Sequence, residues 1–357
     1  MSPDLRSGRG APLNCTPTRL GLAERVSDGD WLDAREEVDN GPAPLRTTVT
    51  AEKPKTIITR NSSPDVSFDR SINPYRGCEH GCIYCFARPT HAFHDLSPGL
   101  DFESRLFAKQ GAADLLRAEL ARPGYRCQPI AIGTNTDPYQ PIEGRLRIMR
   151  AVLEVLAEHR HPVMITTKSD RVVRDVALLR SMAALDLVSV AVSITSLDPK
   201  VHRTLEPRAP TPHKRLQAVR ALADAGVRVG VAIAPVVPAI TDHEMEALIA
   251  AAAEAGAASV FYIPVRLPHE VAPLFRAWLD AHYPERAAKV MHLVRSMRGG
   301  KDNDAAWFTR MRGSGPYADL LRARFDRAVR ANGLNQAAHP LRTDLFAPPP
   351  GPQLRLL

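Results

Sequence analysis

Three cysteines fall within eight residues of one another in RGCEHGCIYCFARPTH, as Cys78-x3-Cys82-x2-Cys85. Three soft thiolates on one short loop bind metal, and two chemistries suit them. Zinc would take a fourth ligand, for which His80, His91 and His94 are at hand, giving a structural Cys3His site. An iron–sulfur cluster held by three cysteines instead leaves one iron without a protein ligand, whereas electron-carrier clusters take four. The remaining cysteines, Cys15 and Cys127, lie far from this loop in sequence, which leans toward the open iron. An odd total of five, clustered in this way, argues for a metal site over a disulfide framework. No apolar run approaches the roughly 18 residues of a membrane span, and the basic start is not followed by an apolar stretch. A cytoplasmic protein with no membrane partner is expected.

Such a loop needs a rigid carrier, and the residues around it supply one. Short β-branched runs recur at Pro129 to Thr134, Val163 to Thr167, Leu187 to Ser193, Arg228 to Ala234 and Ser259 to Ile263. Helical patterns separate them at Arg145 to Glu158, Val172 to Ala184, His213 to Ala225 and Asp242 to Ala255. Strand, helix, strand repeated every 30 residues or so is the βαβ signature of a parallel sheet. A further strand near Ser71 to Tyr75, just before the cysteines, brings the expected number to six. Alternation within the strands then bears on closure, because neighbouring residues point to opposite faces. Val188, Val190 and Val192 oppose Ser189, Ala191 and Ser193, and Val229, Val231 and Ile233 oppose Gly230, Ala232 and Ala234. A closed barrel fills its interior with branched side chains, so one face kept small predicts a wide or incomplete α/β barrel with room for a ligand. A doubly wound sheet whose small face receives helices is the alternative.

The polar ends of these strands are the candidate binding positions. Asn135, Thr136 and Asp137 of TNTD follow the first run and could hydrogen-bond an ammonium. Lys168, one of only eight lysines, shares the parity of Met164 and Thr166, and a Lys facing inward needs a charged partner. Ser193 and Thr195 end the next strand on the small-residue face, and Glu206 and Arg208 follow in LEPRAP, Arg208 able to take a carboxylate or to pair with Glu206. Arg266 follows the last strand. Residues 1–62, rich in Pro, Ser, Gly and charge, read as a mostly disordered leader, 63–285 as the core barrel, 286–342 as a basic helical C-terminal extension and 343–357 as a Pro-rich tail. The formal net charge of +8 arises in that extension, where twelve Lys or Arg meet four Asp or Glu. Nucleic acid is the obvious anionic partner, although the dominance of Arg over Lys also fits GC-rich coding, and a zinc-stabilised nucleic-acid-binding protein is the competing reading.

The Cys78, Cys82, Cys85 spacing, with Tyr84 directly before the third cysteine, resembles the signature of the radical S-adenosylmethionine (radical SAM) superfamily. SINPYRGCEHGCIYCFARPTH, GTNTDPYQPIE and LEPRAPTPHKRL together resemble a bacterial group related to spore photoproduct lyase. The resemblance implies a partial (β/α)6 TIM-like barrel carrying a [4Fe-4S] cluster whose open iron chelates the amino and carboxylate groups of SAM. It also implies cleavage to a 5′-deoxyadenosyl radical, and a reductant such as flavodoxin or ferredoxin. Carried over to this chain, the stretch Asn135, Thr136 and Asp137 would meet the methionyl amino group and Lys168 the carboxylate. Ser193 and Thr195 would face the ribose, and Pro235 and Pro238 the adenine. Spore photoproduct lyase has a hydrogen-donating cysteine just before its counterpart of TNTD, where this chain has Gly133 or Thr134, which argues against photoproduct repair by that route. Nor are there cysteines for a second cluster.

Overall fold

A computed structural model describes residues 8–17, 45–336 and 340–349. Among them ten strands form, β1 (Thr48–Glu52), β2 (Thr59–Arg60), β3 (Arg70–Ile72), β4 (Tyr75–Arg76), β5 (Arg105–Lys109), β6 (Ile130–Ile132), β7 (Val163–Thr167), β8 (Val188–Ser193), β9 (Arg228–Val236) and β10 (Ser259–Pro264). The main sheet runs β10-β9-β8-β7-β6-β3-β2. All of its pairs are parallel except β2 with β3. The six parallel strands follow one another in space in chain order, so every crossover turns the same way and no switch point arises. Right-handed crossovers then put all the helices on one face, which is a partial (β/α)6 barrel and not a doubly wound sheet.

Alternation decides which face is which. In β8 the side chains of Val188, Val190 and Val192 are buried under the helices, while Ser189 and Ala191 are only half-buried. Val163 and Ile165 of β7 repeat the pattern against Met164 and Thr166. In register across the sheet, Thr166 sits beside Ala191, Ala191 beside Gly230 and Gly230 beside Ser259, so a row of small side chains faces the lumen. The helix Ile148–Glu158 closes the outer layer with Met149, Val152, Leu153, Val155 and Leu156 on its buried stripe. The other crossover helices, Val176–Ala183, Pro212–Asp224 and Met245–Glu254, do the same within one continuous core.

One difference from the sequence expectations concerns the N-terminal end. Parts of the expected leader are built into the fold: β1 pairs with β5 in a three-stranded sheet with β4, and residues 8–17 lie against the cysteine loop. β1 was masked in the sequence by its alternating polar residues, because both of its faces are largely solvated. The rest of that leader, 1–7 and 18–44, lies outside the described residues, as do 350–357 of the tail. The C-terminal helix Pro316–Ala331 packs Leu321, Phe325 and Val329 against the core and leaves Leu320 exposed.

Candidate cofactor site

The cysteine loop leaves β4 and is fixed by three buried polar anchors. Gly77 has φ of +73°, and a Cβ there would lie 2.8 Å from the Phe102 carbonyl oxygen, which accepts from the Cys78 N–H at 2.9 Å. Gln140 donates to the Gly77 carbonyl and accepts from the Glu79 N–H at 2.9 Å. Arg88, fully buried three residues past Cys85, donates to the carbonyls of Gly81 and Cys82 and to those of Pro98 and Gly99. Its charge is balanced by Glu103 at 2.5 Å, which also accepts from the N–H groups of Gly10 and Ala11. Four carbonyls gathered on one guanidinium give the loop a fixed shape without a regular element. Nothing in the sequence marked Arg88 among so many arginines.

Cys78 and Cys82 are buried and Cys85 is half-buried. Burial raises the Cys78 thiol well above its ordinary value and pushes Cys82 up to about 12, with Lys168 and Arg215 pulling Cys82 the other way. Ionisation of such thiols needs a strong positive charge, which a metal centre brings. Among the described residues no three His, Cys, Asp or Glu side chains converge where one ion could be held. The histidines are engaged elsewhere: His80 Nδ1 lies 3.4 Å from Asp137, His91 Nε2 lies 2.9 Å from the Arg105 carbonyl and His94 stacks on Phe107. A Cys3His zinc site therefore finds no support. Three thiols on separate turns of a loop suit a cluster in which each sulfur takes a different iron.

Facing the loop, the ends of β7 and β8 present a connected polar network. The Lys168 ammonium bonds the Ser193 hydroxyl at 3.2 Å and stands 5.7 Å above the Tyr84 ring. The Tyr84 hydroxyl donates to Glu206 and lies 3.3 Å from the Thr195 hydroxyl, which itself donates to Glu206 at 2.8 Å. Glu206 is held by buried Arg215 at 2.5 Å, and Arg215 also donates to the Ser193 carbonyl at 2.9 Å. Burial would raise the Glu206 carboxyl, but Arg215 and His202 with Lys168 and Tyr84 hold it well below the usual range. Burial likewise opposes charge on Lys168, and Cys82 with Glu206 outweighs it, so the ammonium persists. The Tyr84 phenol is driven far up by burial and stays a neutral donor.

The TNTD turn divides its labour. Gly133, with φ of +90° and only 2.0 Å between a built Cβ and the Thr166 carbonyl oxygen, admits no side chain. Asn135 is exposed at the barrel mouth, its N–H bonded to Asn73 at 3.0 Å. Thr136 is buried and donates to the Tyr75 carbonyl at 2.9 Å. The Asp137 carboxylate accepts from Thr167 at 2.7 Å, from the Lys168 N–H at 2.6 Å and from the Tyr139 N–H at 2.9 Å. Burial works against its charge, yet His80 and these donors hold it at about 2. Both oxygens of Asp137 are thus committed within the protein, a positioning task that the sequence expectation of an ammonium contact did not foresee. Arg208 does not pair with Glu206; it reaches the cysteine loop through Glu79 at 3.1 Å, and its own N–H bonds the His80 carbonyl. Cys127 stands just before β6, at the opposite end of the strands.

The sequence model described as the radical SAM superfamily matches residues 72–252. An uncharacterised protein of Mycobacterium tuberculosis is 40% identical over 230 residues, covering 64% of this chain and 68% of its own. An uncharacterised protein of Methanocaldococcus jannaschii is 27% identical over 60% of this chain and 76% of its own. Among solved structures, a point mutant of spore photoproduct lyase superposes with a TM-score of 0.58 at 18% identity, covering 88% of this chain and 89% of that one. Spore photoproduct lyase complexed with dinucleoside spore photoproduct gives 0.56 at 17% identity over 79% of each chain.

Proposed function

The chain belongs to the radical SAM superfamily, and from that premise we propose that Cys78, Cys82 and Cys85 hold its [4Fe-4S] cluster and that SAM binds across the ends of β6, β7 and β8. Enzymes of this superfamily use both cofactors, and this chain is such an enzyme. Bound there, the pair would supply one-electron cleavage of SAM to methionine and a 5′-deoxyadenosyl radical that takes a hydrogen atom from the substrate. The observation that carries the site assignment is the placement of three free thiols on one anchored loop, with the nearby histidines turned to other groups and the Lys168 ammonium over the ring of Tyr84, next to the third cysteine.

Each side chain has a task in this reading. Lys168 meets the SAM carboxylate, its direction set by Ser193 and by the backbone bond to Asp137. Asn135 is the exposed polar group beside the methionyl amine, while Thr136 and Asp137 shape the turn that presents it. Ser193 and Thr195 offer hydroxyls to the ribose. Tyr84 fastens the third cysteine's neighbour to the β8 end through Glu206, and Arg208 steadies the loop through Glu79. Electrons come from a reductant of the flavodoxin or ferredoxin kind, and the compartment is the cytoplasm; among the described residues no helix is long and apolar enough to cross a membrane. The unit that does this chemistry is 63–285, with 286–342 an accessory region. A nucleic acid substrate is supported by the likeness to a lyase solved with a dinucleoside and by the basic extension. Repair that uses a cysteine hydrogen donor is not, since neither Gly133 nor Thr134 supplies a thiol and Gly133 has no room for a side chain.

Anaerobic reconstitution tests the assignment. The wild-type protein should take up about four irons and cleave SAM reductively, and Cys82→Ala should do neither, because two thiolates do not retain a cubane. A Cys82→Ala protein that binds iron and cleaves SAM normally overturns the ligand set.

A further inference from the structure

The six parallel strands do not close, and the gap between β10 and the β2–β3 edge is spanned by a loop at 299–315. Arg298 is 2% exposed and ties the loop to one side of the gap. It donates to the carbonyls of Pro264 and Val265 at the end of β10 and to those of Thr309 and Arg310 in the loop. On the other side Arg310 bonds Asp65 and, at 2.5 Å, Ser63, both in the β2–β3 connection. The Phe308 N–H donates to the same Asp65 at 2.6 Å, and Asp304 accepts from Thr309 at 2.6 Å. This loop has no regular element, yet it is pinned at every few residues.

What it presents is unusual for so well-anchored a segment. Trp307 is 55% exposed and Phe308 66%, and Phe308 has φ of +68°, which costs a bulky side chain energy. Two adjacent aromatic rings turned to water, one of them strained, contribute nothing to the core. In the same loop Met311 approaches Arg266, whose guanidinium stands 5.6 Å over the ring of Phe86. Phe86 is itself 47% exposed and follows Cys85 directly. Arg266 is half-buried, its Nε lacks a hydrogen-bond partner, and among the described residues no carboxylate lies within ion-pair distance of it. Asp65, the carboxylate whose charge reaches it, is already bonded to Arg310, and a cation placed with an aromatic ring and a thioether is completed by an anion from outside. Arg266 thus connects the loop that carries Trp307 and Phe308, through Met311, with Phe86 next to the third cysteine.

We propose that Trp307, Phe308 and Arg266 form a docking rim for single-stranded nucleic acid at the open seam of the barrel, with bases stacking on the two rings and a phosphate on Arg266. The charge complementarity is local: Arg266 has no ion pair among the described residues, whereas Arg295, Arg322, Arg324 and Arg342 of the basic extension are held by Asp302, Asp319, Glu246 and Asp344. Stacking requires an unpaired base, so the strand must be single where it meets the rim. The inference rests on the radical SAM reading only in that it names what that site would act upon.

Fluorescence anisotropy with labelled mixed-sequence DNA and RNA oligonucleotides, single-stranded and duplex, tests it on the iron-loaded wild-type protein. Single strands should bind more tightly than the duplex. Trp307→Ala and Phe308→Ala should each weaken that binding on the order of tenfold, and Trp307→Tyr should restore most of it. Arg266→Ala should lower the slope of log affinity against log salt by about one. Circular dichroism accompanies each variant, and the tyrosine variant keeps the test decisive if an alanine variant unfolds. Folded variants that bind as the wild type does, or an equal preference for duplex, would sink the proposal. An iron-loaded protein that cleaves SAM but binds no oligonucleotide at 50 mM salt also overturns it while leaving the enzyme reading intact, and the rim would then belong to a protein partner.

Discussion

At the scale of single residues, the site turns on which polar groups are spent inside the protein and which are left for a ligand. Asp137 and Lys168 show the contrast, since they are joined through the Lys168 N–H yet only the ammonium retains capacity. Its three protons have a single neutral acceptor in Ser193, so a carboxylate would be a better partner than any it has now. Lys168→Ala should accordingly keep the cluster absorbance and lose SAM affinity by about 1.5 to 3 kcal/mol, the value of a hydrogen bond between charged groups. Equilibrium binding of SAM to the anaerobic variant measures this, and unchanged affinity would assign Lys168 to the network alone. Cys78, Tyr84 and Lys168 stand out in the sequence because their types and offsets are tied to chemistry. Arg88 and Arg215 do not, because a buried arginine is recognised by the carbonyls and carboxylates around it, which come from distant parts of the chain.

At the scale of elements, the turns after the strands matter more than the strands themselves. Strand order follows the sequence because each β-branched run is joined to the next by one amphipathic helix, and a right-handed crossover allows little else. The turn after β6 has tighter demands. Gly133 lets the chain pass so close to β7 that a Cβ would lie 2.0 Å from the Thr166 carbonyl oxygen, which brings TNTD over the β7 end and allows Asp137 to reach Thr167. Gly133→Ala should cost about 2 to 4 kcal/mol through backbone strain and overpacking combined. Chemical denaturation gives that figure directly, and a loss below 1 kcal/mol would mean that the turn relaxes and that its close approach is not required. β1 and β5 escaped the sequence reading because strands lying beside a barrel on a small second sheet lack both the uniform apolar run and the flanking helices that marked the others.

At the scale of the whole molecule, acid should destabilise the fold through histidines buried as neutral groups. His161 accepts from the Tyr125 hydroxyl at Nε2, 2.8 Å away, and its Nδ1 lies 3.0 Å from the Pro162 carbonyl, so both ring nitrogens are used without a proton to spare. Burial, with Arg70 and His159 nearby, lowers its pKa to about 4. The unfolded chain, with an ordinary value near 6.5, therefore binds the extra proton first, and stability that is complete above about 6.5 is lost as pH falls toward about 4. The slope approaches 1.4 kcal/mol per pH unit in that window for each such group. Urea denaturation at pH 7 and pH 5 should show the loss, and His161→Gln should reduce it, His91 supplying the remainder. An identical pH dependence in the variant would exclude His161 as a source.

By itself the sequence determined the clustering of Cys78, Cys82 and Cys85, the six parallel strands and the small-residue face, because each is written in local type, spacing or alternation. The tertiary structure alone decided how the open barrel is finished. Ser63 and Asp65 meet Arg310 across some 245 residues of chain, and Glu103 gathers Gly10, Ala11 and Arg88. Those contacts obey no period, since a buried charge needs only a partner within reach, and which partner that is depends on where the closed crossovers leave the two edges of the sheet.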